Sequence, residues 1–386
     1  MSELNASNLR KEHGNEGPDL VGTTELTSPY FMVPPSGTTA ERPQNPQKGT
    51  LRFNTDIGSL EFYRGDTIGW EQIVRTTPNL GGGTGSNAGI GARAIVFGGN
   101  NGNSYTDIEF FTISTLGNAS DFGNLAVTRT AAGSCASRTR GIVASGQEPG
   151  VVSADIDYVT ISSTGDATDF GGDVTDSRDF TAGCSSATRG LFGAGRITAP
   201  NTAGDVIDYI TIASGGSARD FGDTRSTSLY YPMCLASSTR GIFGSGTGGS
   251  STSQIDFVTI ASTGNALEFG SLATHFGGVG ASNSTRGIFA GGYNPGLCNK
   301  ITYITIATKG NTTTFGDLIS NNRSLGSATS PIRACFMGGK TPSNSNVIQY
   351  VEILTTGDAT DFGDLAQSNS GQKGNVTGCS NAHGGL

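Results

Sequence analysis

One pattern of about 48 residues recurs six times and fixes most of what this chain can fold into. Its first element is an arginine, a small residue, two or three apolar residues and a glycine cluster. It reads Arg93-Ala-Ile-Val-Phe-Gly98-Gly99, then returns at Arg140, Arg189, Arg240, Arg286 and Arg333, at spacings of 47, 49, 51, 46 and 47 residues. The second element is Ile156-Asp-Tyr-Val-Thr-Ile161, with counterparts at 108–113, 207–212, 255–260, 301–306 and 348–353. It is short and rich in β-branched and aromatic residues, although its apolar residues do not alternate perfectly. It reads as a strand, and no copy carries a helical stripe. The third element is Thr164-Gly-Asp-Ala-Thr-Asp-Phe170-Gly171, matched by segments ending at Phe122, Phe221, Phe269, Phe315 and Phe362. Gly-Asn or Gly-Asp just after the strand signals a tight turn. The small-residue stretch before each arginine, such as Arg129-Thr-Ala-Ala-Gly-Ser-Cys-Ala, supplies a fourth strand.

Four short strands per unit predict a blade of a β-propeller, with an open solenoid as the alternative. Residues 371–383 repeat the small-residue segment, so a C-terminal strand is expected to complete the first blade and close the ring. Closure removes exposed sheet edges. One Phe per unit would fill the gap between blades. The unit resembles the kelch repeat: Gly98-Gly99, Gly291-Gly292 and Gly338-Gly339 keep its glycine doublet, and Tyr158, Tyr209, Tyr303 and Tyr350 keep its tyrosine. Phe stands where kelch proteins usually have Trp, and some doublets are degraded, as at Ser145-Gly146. The expected fold is therefore all-β: a six-bladed kelch-like β-propeller over residues 79–386, behind a small N-terminal β-meander and an extended N-terminal arm.

The arm is residues 1–48, dominated by Asn, Glu, Gly, Thr and Pro, with Pro34-Pro35, Pro43 and Pro46 breaking regular structure. Such a segment is ordered by a partner if at all. Residues 49–78 hold the meander, with Leu51/Phe53, Leu60/Phe62 and Trp70/Ile73 as apolar anchors and turns at Asp56-Ile-Gly58 and Arg64-Gly65-Asp66. It is too small to stand alone. The wording Gly49-Thr-Leu-Arg-Phe-Asn-Thr-Asp-Ile-Gly58-Ser-Leu-Glu-Phe-Tyr63, followed by Trp70, strongly resembles a segment of bacteriophage structural proteins, mainly tail fibres and virion appendages. That resemblance implies a non-enzymatic virion structural protein, assembled in the host cytoplasm and displayed on the virion surface. Residues 1–75 would attach it to other virion proteins or to copies of itself, and the propeller would bind a host-surface glycan or protein. Two alternatives stand beside it: a capsid or tail decoration without host binding, and a propeller enzyme acting on surface glycans.

Charge narrows the partners. Lys plus Arg is 24 and Asp plus Glu is 32, giving 24 − 32 = −8 on 386 residues. That argues against nucleic acid, which needs a basic surface. No apolar run reaches the ~20 residues of a membrane helix, so membrane insertion is not expected. The start Met1-Ser-Glu-Leu lacks the form of a signal peptide. Cys135, Cys184, Cys234 and Cys379 occupy equivalent repeat positions and read as small buried hydrophobes, not as disulfide partners. His13, His275 and His383 share no motif with a nucleophile, so no catalytic residue, metal or cofactor is assigned.

Two sets of polar residues remain. Asp166/Asp169 and Asp358/Asp361 lack a calcium loop and are expected to bond their own turn backbone. Arg93, Arg140, Arg189, Arg240, Arg286 and Arg333 would form a ring, either binding a polyanion or bonding an acid or carbonyl of a neighbouring strand. Asp121, Asp169, Asp220, Glu268 and Asp361 recur once per unit, with Thr314 the exception, and favour the structural role. Binding is then expected in the loops where the units differ: 100–107, 147–154, 196–205, 246–254, 293–300 and 340–346.

Overall fold

Each repeat becomes one antiparallel sheet. In sheet two, Gly133–Ala136, Arg140–Ala144, Asp155–Thr160 and Thr168–Asp173 lie side by side in that order. The computed structural model describes residues 34–56, 59–72, 92–197, 202–226, 229–247, 251–272, 276–293, 295–366 and 372–386. His13, His275, Ile73 and residues 1–33 of the expected arm fall outside them, as do 198–201, 248–250 and 294 of the expected loops. Contacts divide the chain into two units, Met1–Thr77 and Pro78–Leu386. Among the described residues of the larger unit, six sheets share the order of sheet two. Sheet one takes its first strand from far along the chain: Thr377–Ser380 pairs with Arg93–Phe97, placing Cys379 opposite Ile95. The unit is all-β and propeller-like, with no α-helix among the described residues.

The first strands lie against one another. Gly133–Ala136 contacts Ala182–Ser185, which contacts Met233–Ala236, then Val279–Ser282, then Gly326–Thr329. Thr377–Ser380 touches both Gly326–Thr329 and Gly133–Ala136. A serine bond recurs between these strands: Ala136 N–H donates to Ser185 Oγ, and that hydroxyl donates back to Ala136 O. Ser282 and Ser380 do the same with Ala236 and Thr329.

Apolar clusters join neighbouring sheets on both sides. Ile156 and Tyr158 pack toward sheet three, whereas Val159 and Ile161 pack toward sheet one around Phe122. The second strand of this sheet is split the same way, Ile142 to one side and Val143 to the other. This explains the imperfect alternation, because a strand buried on both faces needs apolar residues on both. Cys335, Met337 and Phe362 of sheet six pack with Val96, Phe111 and Ile113 of sheet one.

A β-bulge at the repeated phenylalanine makes each junction. Ile207 faces Gly222 and Asp208 faces Asp220, leaving Phe221 as the extra residue. The same one-residue shift occurs in five of the six sheets, and in sheet two the irregularity is wider, with Asp155 facing Asp173 and Asp157 facing Asp169 around Phe170. A bulge bends its strand and re-aims the side chain, and all six phenylalanines are buried. The glycine that follows admits the next sheet's turn. Gly165 N–H donates to Phe122 O at 2.7 Å, and a Cβ on Gly123 (φ 150°) would sit 2.3 Å from Gly165 O.

The smaller unit reaches further back than the boundary at residue 49. Ser36–Gly37 pairs in parallel with Leu51–Asn54, which continues into Ser59–Tyr63 and Trp70–Gln72. Its buried residues also differ from those expected. Arg52, Asn54 and Glu61 are buried, whereas Leu51 is 39% exposed and Phe53, Leu60 and Phe62 are half-buried. Strand alternation puts the two sets on opposite faces. Glu61 accepts from Arg42, Arg52 and Asn54, and the two guanidinium groups lie 5.8 and 5.9 Å from the Trp70 ring centre. The Arg42 bond is the largest cause holding the Glu61 carboxyl below its ordinary range.

Because sheet one borrows Thr377–Ser380, deleting residues 371–386 removes the strand between sheets six and two. The truncated protein is expected to lose its cooperative melt and much of its solubility. An unchanged melting curve would contradict the pairing.

Candidate functional site

Immediately before each first strand the backbone turns left-handed. Ala131, Phe180, Tyr231, Gly277, Ser324 and Asn375 have φ of 55°, 53°, 59°, 68°, 58° and 51°. Their amides form a ring of hydrogen bonds. Phe180 N–H donates to Ala131 O (2.7 Å), Tyr231 to Phe180 (3.3 Å) and Gly277 to Tyr231 (3.2 Å). Ser324 donates to Gly277 (2.6 Å), Asn375 to Ser324 (3.0 Å) and Ala131 to Asn375 (3.0 Å). The ring surrounds an axial cavity of about 130 Å³ lined from all six sheets. Five of the six residues are not glycine, and this conformation costs an L-residue about 1–2 kcal/mol.

The residue before each ring position pairs with the base of a loop. Thr130 bridges to Gln147, Tyr230 to Thr247, Phe276 to Tyr293, Arg323 to Lys340 and Gly374 to Asn100, while Asp179 pairs with Arg196. The candidate loops 100–107, 147–154, 196–205, 246–254, 293–300 and 340–346 therefore all leave from one mouth. Two form small hairpins, Gln147–Glu148 with Val151–Val152 and Lys340–Thr341 with Ser343–Asn344. In sheets three and four the central strands lengthen instead, to Arg189–Ile197 with Thr202–Thr211 and Arg240–Thr247 with Ser251–Thr259.

Buried ion pairs support these loops, and sequence reasoning missed them. The acid after the first Ile of the second element accepts a cation: Glu109 from Lys373 (2.8 Å), Asp157 from Arg129 (3.0 Å), Asp208 from Arg178 and Asp256 from Arg225 (3.3 Å). Glu109, Asp208 and Asp256 also accept backbone N–H groups of Ala366, Thr175 and Arg225, and Gln349 takes one from Ile319. Burial is the largest influence on the Asp157, Asp208 and Asp256 carboxyls and raises them against the pull of their partners. The signal was present, since five of the six copies carry Asp, Glu or Gln there.

One side of the mouth is aromatic. Phe180 and Tyr231 stack with ring centres 3.8 Å apart, and Tyr230, Phe276 and Tyr293 continue the contact. Arg196 lies 5.2 Å from the Phe180 ring centre and is paired with Asp179; Arg323 lies 5.0 Å from that of Tyr293. A concavity of about 430 Å³ opens between Arg196, Tyr230, Tyr231, Thr247 and Phe276. Burial pushes the Tyr231 phenol up to about 12, so it stays protonated at neutral pH.

The six repeated arginines join neighbouring sheets. Arg93 donates to Ile161 O, Arg140 to Ile212 and Ala213, Arg189 to Ile260, Arg240 to Ile306 and Ala307, Arg286 to Ile353, and Arg333 to Ile113 and Ser114. Each guanidinium also lies 4.4–5.0 Å from the centre of an aromatic ring in its own sheet. That ring in turn meets the bulged Phe edge-on, as Tyr158 meets Phe170. The acids flanking the phenylalanines take other partners. Asp169 and Asp220 accept from Gly171 and Gly222 within their bulges. Asp166 and Asp358 reach across to the N–H groups of Asn124 and Asp317 in the preceding sheet, not to their own turns.

Ser185 and His383 sit 3.2 Å apart and invite a catalytic reading. The geometry opposes it. His383 Nε2 faces Ala136 O at 2.7 Å and Nδ1 accepts from Gly385 N–H at 3.1 Å, so both ring nitrogens are occupied. Ser185 makes the serine bond that Ser282 and Ser380 repeat. Burial lowers the His383 pKa to about 4. A comparison with protein-family models finds no match, and a comparison with curated proteins finds none either.

Arg240→Ala removes two charge-assisted bonds and a ring contact, and is expected to cost about 2 kcal/mol, read by chemical denaturation. Arg240→Lys should recover only part. His383 gives a pH signature. With its folded pKa below the ordinary 6.5, the unfolded chain takes the proton first as pH falls. Its contribution is complete above the unfolded value and is lost from there toward pH 4. Between pH 7 and 4, His383→Gln should lose less stability than the parent protein, by on the order of 2 kcal/mol. Parallel losses would contradict the burial of the neutral ring.

Proposed function

We propose that residues 78–386 form one closed six-bladed, kelch-like β-propeller that serves as a binding module and not an enzyme. The observation that carries this reading is the division of labour among residues. The repeated arginines, phenylalanines and glycines are used in joining sheets, while six loops of unlike sequence surround one mouth. Variable loops on a rigid scaffold are the usual place for recognition. The Ser185–His383 pair, the nearest approach to a nucleophile and base among the described residues, is engaged in holding inner strands.

The wording of residues 49–75, with its resemblance to phage tail-fibre and appendage segments, supports a bacteriophage virion structural protein of the tail-fibre or appendage type. Residues 1–75 attach the chain to other virion proteins on the virion surface, and the propeller binds the host surface.

Replacing loops 293–300 and 340–346 with Gly-Ser linkers is expected to abolish adsorption to host cells while the protein still folds, at some cost in melting temperature, and is still incorporated into particles. Adsorption at the parental rate would favour a decoration role. A fragment of residues 78–386, offered to particles lacking the protein, is expected to fold but not to be incorporated; efficient incorporation would overturn the attachment role of residues 1–75.

A further inference from the structure

The aromatic side of the mouth has features that holding the sheets together does not require. Four of the six ring positions carry Ala, Gly, Ser or Asn. The other two place Phe180 and Tyr231 in the same left-handed conformation, each half-buried and stacked on the other. Large rings at positions that Ala and Gly also fill are therefore a local addition. Of the two, Tyr231 lines the concavity of about 430 Å³, with Phe180 stacked on it, and that volume lies within the ~300–1,000 Å³ range of small-ligand sites.

Several polar groups at and beside it are uncommitted. The hydroxyls of Tyr230 and Tyr231 make no hydrogen bond among the described residues. Arg196 is matched by Asp179, whereas Arg323 has a ring contact with Tyr293 and no carboxylate partner among the described residues. Lys340, across the bridge from Arg323, is exposed and likewise has no carboxylate partner among the described residues. On a chain of net charge −8, this corner of the mouth carries unbalanced positive charge.

Flat aromatic faces suit the C–H faces of a pyranose, free phenols suit its hydroxyls, and an unpaired guanidinium suits a carboxylate. We propose that the concavity lined by Tyr230, Tyr231, Thr247 and Phe276, with Arg323 beside it on the Tyr293 ring that Phe276 also touches, binds an acidic saccharide, a pyranose bearing a carboxylate. The assignment rests on reading the propeller as a binding module and adds the site and the ligand class. Tyr231 supplies the stacking face and Arg323 meets the carboxylate. One charge contact gives a mild salt dependence, unlike a polyanion site.

The test uses the full chain and saturation-transfer NMR with N-acetylneuraminic, glucuronic and galacturonic acids, with glucose and galactose as neutral controls. At least one acidic sugar should bind, and Tyr231→Ala should abolish its signal. Arg323→Gln should weaken it about tenfold and erase the preference over neutral sugars. Ala131 shows that alanine is accepted at the Tyr231 position; Tyr230→Ser, outside the hydrogen-bonded ring, is a second variant expected to weaken binding without touching that ring. If no acidic sugar binds, or if binding ignores Tyr231 and Arg323, the site is wrong. Adsorption to host cells separates the two failures. Loss of adsorption in the loop-replaced protein but not in Tyr231→Ala would refute the cleft and keep the binding module. Parental adsorption in both would refute both.

Discussion

Among the described residues of the larger unit, the central strands of each sheet are buried on both faces, and that single constraint organises the rest. A lone sheet with Ile142 on one side and Val143 on the other cannot leave either side in water without losing most of its apolar burial. It needs a neighbour on each side, and the apolar clusters supply one on each side of all six described sheets. The polar contacts follow the same logic. Each repeated guanidinium reaches a carbonyl at the end of the third strand one sheet further on, and the series runs round to Arg333 on Ile113. The amides of six left-handed residues make a second circuit around the axis. Both circuits run through all six described sheets, so each is broken when one sheet is removed.

This arrangement separates holding from binding. Residues that repeat are consumed by the junctions: the bulged Phe, the glycine that admits the next turn, the Asp or Asn that caps the preceding sheet. What is left free is the mouth. Its loops are anchored at their bases by buried pairs such as Arg178–Asp208, whose loss would strand a buried charge at a cost of about 3–5 kcal/mol. The loops can therefore vary at their tips while their roots stay fixed. The strain in the left-handed ring is carried by the circuit of bonds it makes possible, and at Phe180 and Tyr231 it also holds large rings at the mouth.

Much of the scaffold was legible because it repeats. Six copies of Arg-small-apolar, of the Ile-led strand and of Phe-Gly were enough to place four strands per unit, and the small-residue segment after residue 371 pointed to the strand that Thr377–Ser380 makes with Arg93–Phe97. Other features were hidden for physical reasons. The left-handed ring uses Ala, Phe, Tyr, Gly, Ser and Asn at one position, so no residue type marks it. The acids beside the phenylalanines looked like partners for the arginines, but the bulge turns them to their own backbone or to solvent. The acids that do form ion pairs lay one residue into an apparent apolar strand. In the smaller unit, alternation alone points the apolar residues inward. The face covered by residues 38–42 is instead the polar one, because Arg42 and Arg52 satisfy Glu61 there.

The most direct measurement is a map of the intact particle that resolves this chain. The account predicts six sheets around one axis, residues 1–75 against other virion proteins, and the mouth bearing Phe180, Tyr231 and Arg323 open to solvent. A mouth sealed against a neighbouring virion protein, or a chain absent from the particle, would contradict it.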